Sequence, residues 1–351
     1  MRIAVCHPKP PFMTGGAESH AGALVGALRE AGHDAELISI PFKWYPPGEL
    51  VHQMAMWRSV DLTETNGEPI DLVIAQKFPS YMVRHPRKRI WLIHQHRTAY
   101  DLWDVPRVSD LVNEPDGAAV RDVIHAADLV ALGEAEKIFT NSENVLGRLQ
   151  RSTGLTGEVL YHRSPLADRL LRADAGMRGD YILYPSRLDK LKRQHLAIDA
   201  MKHVASSVRL VMVGEGPQRA ALEDQIRRGR LHDRVELRSR VPDDELVDLY
   251  LGALGVYFGP LDEDYGYVTI EGMAAARPVV VTTDAGGPLE FARGGETGII
   301  VAPEPQAIGA AFDELFKDRS EAERLGVAGR AFVRGQIPDW SRVVRRLLAE
   351  V

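Results

Sequence analysis

Cysteine is nearly missing from this chain of 351 residues, which holds one, Cys6. A single thiol excludes a disulfide scaffold and a cysteine-rich zinc site, and it is compatible with a reducing cytoplasm. Cys6→Ser is expected to be nearly silent for activity. Long apolar runs are missing too. The longest uncharged stretch, residues 249–261, is broken by glycines and a proline and falls short of the ~18 apolar residues a membrane span needs. The start, Met1-Arg2-Ile3-Ala4-Val5, turns polar and proline-rich too soon for a secretory apolar region. A basic excess is absent as well. Lys and Arg number 43 against 49 Asp and Glu, a net charge of −6, which argues against a dedicated nucleic-acid binder.

What is present is an ordinary globular composition, 45% hydrophobic and 26% charged, at a length that predicts about two domains. Short β-rich runs alternate with helical spacing. Runs at 3–6, 35–40, 72–75, 90–93, 137–140 and 159–161 fall in the first half; those at 181–184, 208–213, 256–258, 278–282 and 298–302 fall in the second. Such alternation predicts parallel sheets covered on both faces. The polar, small segment Arg172-Ala173-Asp174-Ala175-Gly176 suits a linker. The expected fold is α/β: two doubly wound Rossmann-like domains facing each other across a cleft, residues 1–172 and 177–336. An apolar-striped helix within 337–351 follows. No internal repeat is present.

Ligands of such sheets sit beyond the carboxyl ends of the strands, so chemistry is sought in the loops there. Thr14-Gly15-Gly16-Ala17-Glu18 opens the first helix and lets backbone N–H groups approach an anion, although a tight turn needs the same glycines. Arg187 and Lys192, after the strand at 181–184, can clamp a diphosphate; a solvated cluster with Lys190 and Arg193 is the alternative. Glu263 and Glu271 are separated by seven residues, with Glu271 expected in a helix that begins near Gly266. Their carboxylates can accept hydrogen bonds from sugar hydroxyls, serve as helix-dipole partners or form a hydrolase acid–base pair. Gly214 and Gly216 follow the strand at 208–213, and Gly286-Gly287 offers a backbone nest for phosphate. His94 and His96 lie after the strand at 90–93, close in sequence to Lys77 and Trp103. Two histidines at this spacing fit a metal site only with a third ligand, and packed rings are the other reading.

The order of these elements resembles the family-4 retaining glycosyltransferases of the GT-B fold, the group 1 glycosyltransferases, over nearly the whole chain. Gly15-Gly16 is similar to their amino-terminal glycine loop, and Ser186-Arg187-Leu188 through Lys192 to their diphosphate element. Val213-Gly214-Glu215-Gly216-Pro217 is similar to their strand–turn segment, and Glu263 through Glu271 to their E-x7-E. Gly286-Gly287-Pro288-Leu289-Glu290 and Gly295-Glu296-Thr297-Gly298 complete the order. The chain departs from the pattern at Arg193, where a glycine is usual, and at Pro260-Leu261, where Pro-Ser is usual.

The resemblance implies transfer of a sugar from a nucleotide-diphosphate donor to an acceptor hydroxyl, in polysaccharide or glycolipid assembly, without a cofactor or a metal. Arg187 and Lys192 would neutralise the leaving diphosphate, Glu263 would hold sugar hydroxyls, and Glu271 ribose hydroxyls. His94 would face the transferred sugar. Gly15, Gly16, Gly214, Gly216, Gly286 and Gly287 would line the donor site, and the last helix would cross back to the first domain. Domain closure would exclude water. The implied partners are the donor and a saccharide or lipid-linked acceptor, with no nucleic acid, in the cytoplasm or at the inner membrane face. The basic run Arg84-His85-Pro86-Arg87-Lys88-Arg89 is read either as a solvated loop or as a peripheral contact with anionic headgroups. Competing functions are a non-catalytic nucleotide-sugar-binding regulator and a nucleotide-sugar epimerase. A dinucleotide oxidoreductase is disfavoured, since Gly214-x-Gly216 lacks the third glycine.

Overall fold

The computed structural model describes every residue except Thr14, Pro106, Arg107, Met177, Arg178, Glu350 and Val351, so those parts of the glycine loop, linker region and terminal segment lie outside the described residues. The chain divides into two units, Met1–His162 with Asp339–Val351, and Arg163–Pro338.

The first unit contains β1 (Arg2–Cys6), α1 (Gly16–Glu30), β2 (Asp34–Ile38), α2 (Gly48–Ser59), the antiparallel pair β3 (Glu64–Thr65) and β4 (Glu68–Pro69), β5 (Leu72–Lys77) and β6 (Lys88–His94). It continues with α3 (Gly117–Gly133), β7 (Lys137–Thr140), α4 (Glu143–Thr153) and β8 (Glu158–Val159). Its main sheet runs β2-β1-β5-β6-β7-β8, every pair parallel. Each residue of β5 is buried, because helices cover both faces, and this explains its uninterrupted Leu-Val-Ile-Ala run.

The second unit contains α5 (Pro165–Arg172), β9 (Tyr181–Pro185), α6 (Gln194–Ala200), β10 (Arg209–Val213), α7 (Arg219–Gly229), β11 (Val235–Arg238) and α8 (Asp243–Gly252). There follow β12 (Gly255–Phe258), α9 (Tyr267–Ala274), β13 (Val279–Thr282), β14 (Gly298–Val301), α10 (Pro305–Lys317) and α11 (Arg319–Gln336). The sheet order is β11-β10-β9-β12-β13-β14, again all parallel. The Val-Val-Val-Thr of β13 is wholly buried, as its β-branched run requires. In each sheet the strand order reverses beside the unit's first strand, between β1 and β5 and between β9 and β12. Those are the switch points at which such sheets bind ligands.

The division falls at 162/163 rather than in the 172–176 segment. Helix α5 packs on α8 and α9, and Arg330 donates to the carbonyls of Leu171 (2.7 Å) and Ala173 (2.6 Å), which fastens the segment to the second unit. Helix α12 (Trp340–Leu348) joins the first unit, with Val343, Val344 and Leu347 in one apolar cluster with Val5, Leu24 and Trp91.

The fold divides the basic run at 84–89: Arg84 is exposed and Arg87 partly so, whereas Lys88 and Arg89 are buried. Lys88 is 0% exposed, its ammonium donating to the carbonyls of Tyr81, Val83 and Ala131, and Arg89 is 3% exposed, donating to the carbonyls of Leu347 and Ala349 at the end of α12. These two cations satisfy carbonyls that helix ends and loops leave without intrahelical donors. The run also enters β6 at its amino end, opposite the edge where ligands bind. Cys6 is likewise fully buried in the apolar core with Val73 and Ile90, so exchanging its thiol for a hydroxyl is expected to cost stability. Among the described residues no helix is long and apolar enough to cross a membrane.

Candidate functional site

In the second unit, the loops after β9, β10, β12 and β13 emerge from the carboxyl edge around the switch point. Arg187 follows β9; its side chain is half-exposed, and Nε donates to Asp189 Oδ2 at 3.0 Å. Asp189 also caps the short 3-10 turn of residues 190–192, accepting from the Lys192 backbone N–H at 3.1 Å. One carboxylate thus pairs with the Arg187 guanidinium and fixes the backbone at Lys192. The Lys192 ammonium donates to Glu263 Oε2, each side chain about a fifth exposed, so Arg187, Lys192 and Glu263 form one cluster.

Glu263 sits on a stiff support. Its N–H donates to the Ala285 carbonyl (2.8 Å), and its own carbonyl accepts from the Gly287 N–H (2.9 Å). The Gly287 N–H therefore already has an acceptor within the protein. Gly286 adopts φ +74°, ψ −127°, a conformation that side chains disfavour. Gly214 and Gly216 have a packing reason as well. A Cβ at either would stand 2.0 Å from the Ser186 carbonyl oxygen or 2.3 Å from that of Leu188. These two glycines let the loop after β10 lie directly against the Arg187 loop.

Glu271 behaves differently from Glu263. It lies in α9, is 9% exposed, and accepts from Ser164 Oγ and Tyr250 OH, both at 2.7 Å. Burial raises its pKa, and the two hydroxyl donors partly counter that rise. Ser164 and Tyr250 carried no sequence signal, because their approach depends on how α5 and α8 pack on α9.

Arg193, at the usual glycine, is the other residue that pattern reading left without a role. Its guanidinium forks Asp284 at 2.7 Å twice and donates to the carbonyls of Gly259 (3.0 Å) and Pro260 (2.7 Å). It therefore ties the loop carrying Glu263 to the loop carrying Gly286.

In the first unit, Gly15 and Gly16 begin α1. The Gly15 N–H donates to Glu18 Oε2 (2.8 Å), a capping contact that closes the loop on itself. Glu18 Oε1 accepts from the Lys77 ammonium at 3.1 Å and lies 3.5 Å from His7 Nε2. Burial pushes the Glu18 carboxyl up, but the hydrogen bonds and charges of His7 and Lys77 outweigh it and hold the group below the usual carboxylate range. Burial lowers the pKa of His7.

Lys77 ends β5, the strand beside β1, and pairs in register with His94 at the end of β6, one strand further along the sheet. His94 Nδ1 donates to the Gln95 carbonyl at 2.6 Å, so the neutral ring carries its proton there. His94 lines a small recess with Gln95, Arg97, Asp101 and Arg148. His96 is packed instead. Its ring lies 5.1 Å from that of Phe78, its Nε2 is 3.0 Å from Thr98 Oγ1, and burial, with His94 nearby, pushes its pKa down to about 3.

Behind this loop, Asp128 on α3 is fully buried; its Oδ2 accepts from Tyr81 OH, Tyr100 OH and Gln95 Nε2 at 2.9, 2.8 and 3.1 Å. Burial pushes its pKa up to about 7, against those donors. Among the described residues no group of three His, Cys, Asp or Glu side chains could hold a metal ion.

Comparison with known proteins agrees with this geometry. Residues 174–332 match the family described as Glycosyl transferases group 1. A glycogen synthase of Mycobacterium tuberculosis (strain CDC 1551 / Oshkosh) is 24% identical over 95% of this chain and 90% of its own. Among solved structures, sucrose-phosphate synthase from Thermosynechococcus elongatus superposes with a TM-score of 0.74 at 19% identity, covering 99% of this chain and 97% of that one. HepE of Anabaena, solved with UDP and glucose, gives 0.70 at 16% identity, with 99% and 98% covered. The region 174–332 thus carries the group 1 glycosyltransferase match, and the two Rossmann-like halves are those of the GT-B fold.

Proposed function

We propose that this glycosyltransferase is a retaining enzyme that transfers a sugar from a nucleotide-diphosphate donor to an acceptor hydroxyl in polysaccharide or glycolipid assembly. One observation carries the reading: Arg187, Lys192 and Glu263 are gathered at the β9/β12 switch point inside the region that matches the family. Uridine is the base to test first, because HepE, of like fold, was solved with UDP and glucose.

On this reading the diphosphate enters beside Lys192 and draws its ammonium from Glu263, whose carboxylate then accepts from hydroxyls of the transferred sugar. The bond between the anomeric carbon and the phosphate oxygen breaks as Arg187 and Lys192 stabilise the negative charge that develops there. The acceptor oxygen bonds the same face of that carbon, and its proton passes to the leaving phosphate. The two cations supply the charge that a metal would otherwise provide, so transfer is proposed to survive a chelator. His94 and the glycine loop are proposed to face the reacting sugar. Glu271 is proposed to reach the ribose through the rim of its pocket while Ser164 and Tyr250 hold it.

The test is transfer from labelled UDP-glucose and other nucleotide sugars, with a thermal-shift panel alongside. A true donor at ~100 times its dissociation constant stabilises by about 2.7 kcal/mol. Glu263→Ala is expected to abolish transfer, and full transfer by that variant would refute the site. Binding by the parent chain without product in the presence of membrane acceptor would identify a regulatory binder instead.

A further inference from the structure

We infer that the joined loops 8–13 and 40–48 of the first unit form a docking surface for an anionic lipid bilayer. They leave the carboxyl ends of β1 and β2 and are bonded to each other. The Lys9 N–H donates to the Ile40 carbonyl (3.2 Å), and the Phe42 N–H donates to the Lys9 carbonyl (3.1 Å). Large apolar rings project from this corner: Phe12 is fully exposed, Tyr45 is 59% and Trp44 37% exposed. Trp44 lies against Phe42 (6.2 Å) and Tyr45 (5.3 Å), and the Lys43 ammonium sits 5.3 Å from the Tyr45 ring.

Three features select the occupant. Rings of this kind, one end apolar and the other wet, settle at the headgroup level of a membrane. Lys9 and Lys43 are both exposed, and residues 8–13 and 40–48 contain no acidic side chain, so the corner complements an anionic surface and repels its own copy. The same residues contain no Asn, Gln, Asp, Glu or Arg. A saccharide subsite built there would lack the polar groups that fix hydroxyls. Pro10, Pro11, Pro41, Pro46 and Pro47 restrict the loops, which lowers the entropy lost when the rings insert. The surface adjoins the glycine loop and is distinct from the basic run at 84–89, whose Lys88 and Arg89 are buried.

Co-sedimentation with vesicles tests the inference without reference to transfer. The full chain is expected to sediment with phosphatidylcholine vesicles that contain phosphatidylglycerol, to stay in solution with phosphatidylcholine alone, and to be released by salt. Lys9→Gln and Lys43→Gln should each weaken binding roughly fivefold. Phe12→Ser and the triple change of Phe12, Trp44 and Tyr45 to Ser should weaken it further, while Arg84→Glu with Arg87→Glu should weaken it less than either lysine change. Phe12 is fully exposed, so its variant folds as the parent does. No sedimentation, or binding that the Phe12 and triple variants leave unchanged, overturns the inference. So does a raised KM for a soluble saccharide acceptor with vesicle binding intact, which would assign the corner to sugar.

Discussion

Arg193→Gly restores the residue the family pattern carries, and it should nevertheless destabilise this protein. The backbone terms nearly cancel. Arg193 sits at φ +51°, ψ +39°, a conformation that costs a non-glycine residue about 1 kcal/mol, and glycine relieves that cost. Glycine also frees the unfolded chain, at roughly 0.5–1 kcal/mol.

The side-chain terms decide the sign. The guanidinium is 13% exposed and makes a two-pronged pair with Asp284. Removing one partner of a fully buried pair costs about 3–5 kcal/mol. Asp284 is 36% exposed and can rehydrate, so about 2 kcal/mol is the better figure. The carbonyls of Gly259 and Pro260 also lose a donor, about 0.5–1 kcal/mol each. The sum is a loss of about 3 kcal/mol, or roughly 6–12 °C in Tm for a unit of this size. Differential scanning calorimetry reads it directly, with Arg193→Lys intermediate because it keeps the charge and loses the fork. An Arg193→Gly variant that melts within about 2 °C of the parent would refute the reasoning.

Three further outcomes are expected. Asp128 holds its proton in the folded state up to about pH 7, against an ordinary value of 3.8, so the native state binds the extra proton and stability falls as pH rises from about 4 through 7. The full penalty is about 4 kcal/mol, and Asp128→Asn should flatten that part of a urea-denaturation pH profile. His162 runs the other way. Burial holds its pKa at about 3, so the unfolded state binds more protons and stability falls as pH drops below about 6.5, a slope that His162→Leu should reduce. Cys6→Ser buries a hydroxyl where the thiol now packs, and should cost about 1–3 kcal/mol in urea unfolding of the first unit.

The sequence alone carried the two parallel-sheet halves, because strands buried on both faces must be written as unbroken apolar runs, such as Val279-Val280-Val281. The β3–β4 pair and β11 were not legible, since Glu64-Thr65, Glu68-Pro69 and Val235-Glu236-Leu237-Arg238 carry no unbroken apolar run. Of the candidate site, the residue types and spacing of Arg187, Lys192 and Glu263 were readable, because a diphosphate needs cations at fixed loop positions. The tertiary structure decided what surrounds them: Asp189 bonding the Arg187 guanidinium and the Lys192 backbone, Arg193 tying two loops together, and Ser164 and Tyr250 filling the hydrogen bonds of Glu271. It also decided which charges face water, burying Lys88 and Arg89 while leaving Lys9 and Lys43 outside. A one-dimensional pattern records which groups are present. Only the packed chain settles which carbonyls remain without donors, and so which cations are drawn inward to meet them.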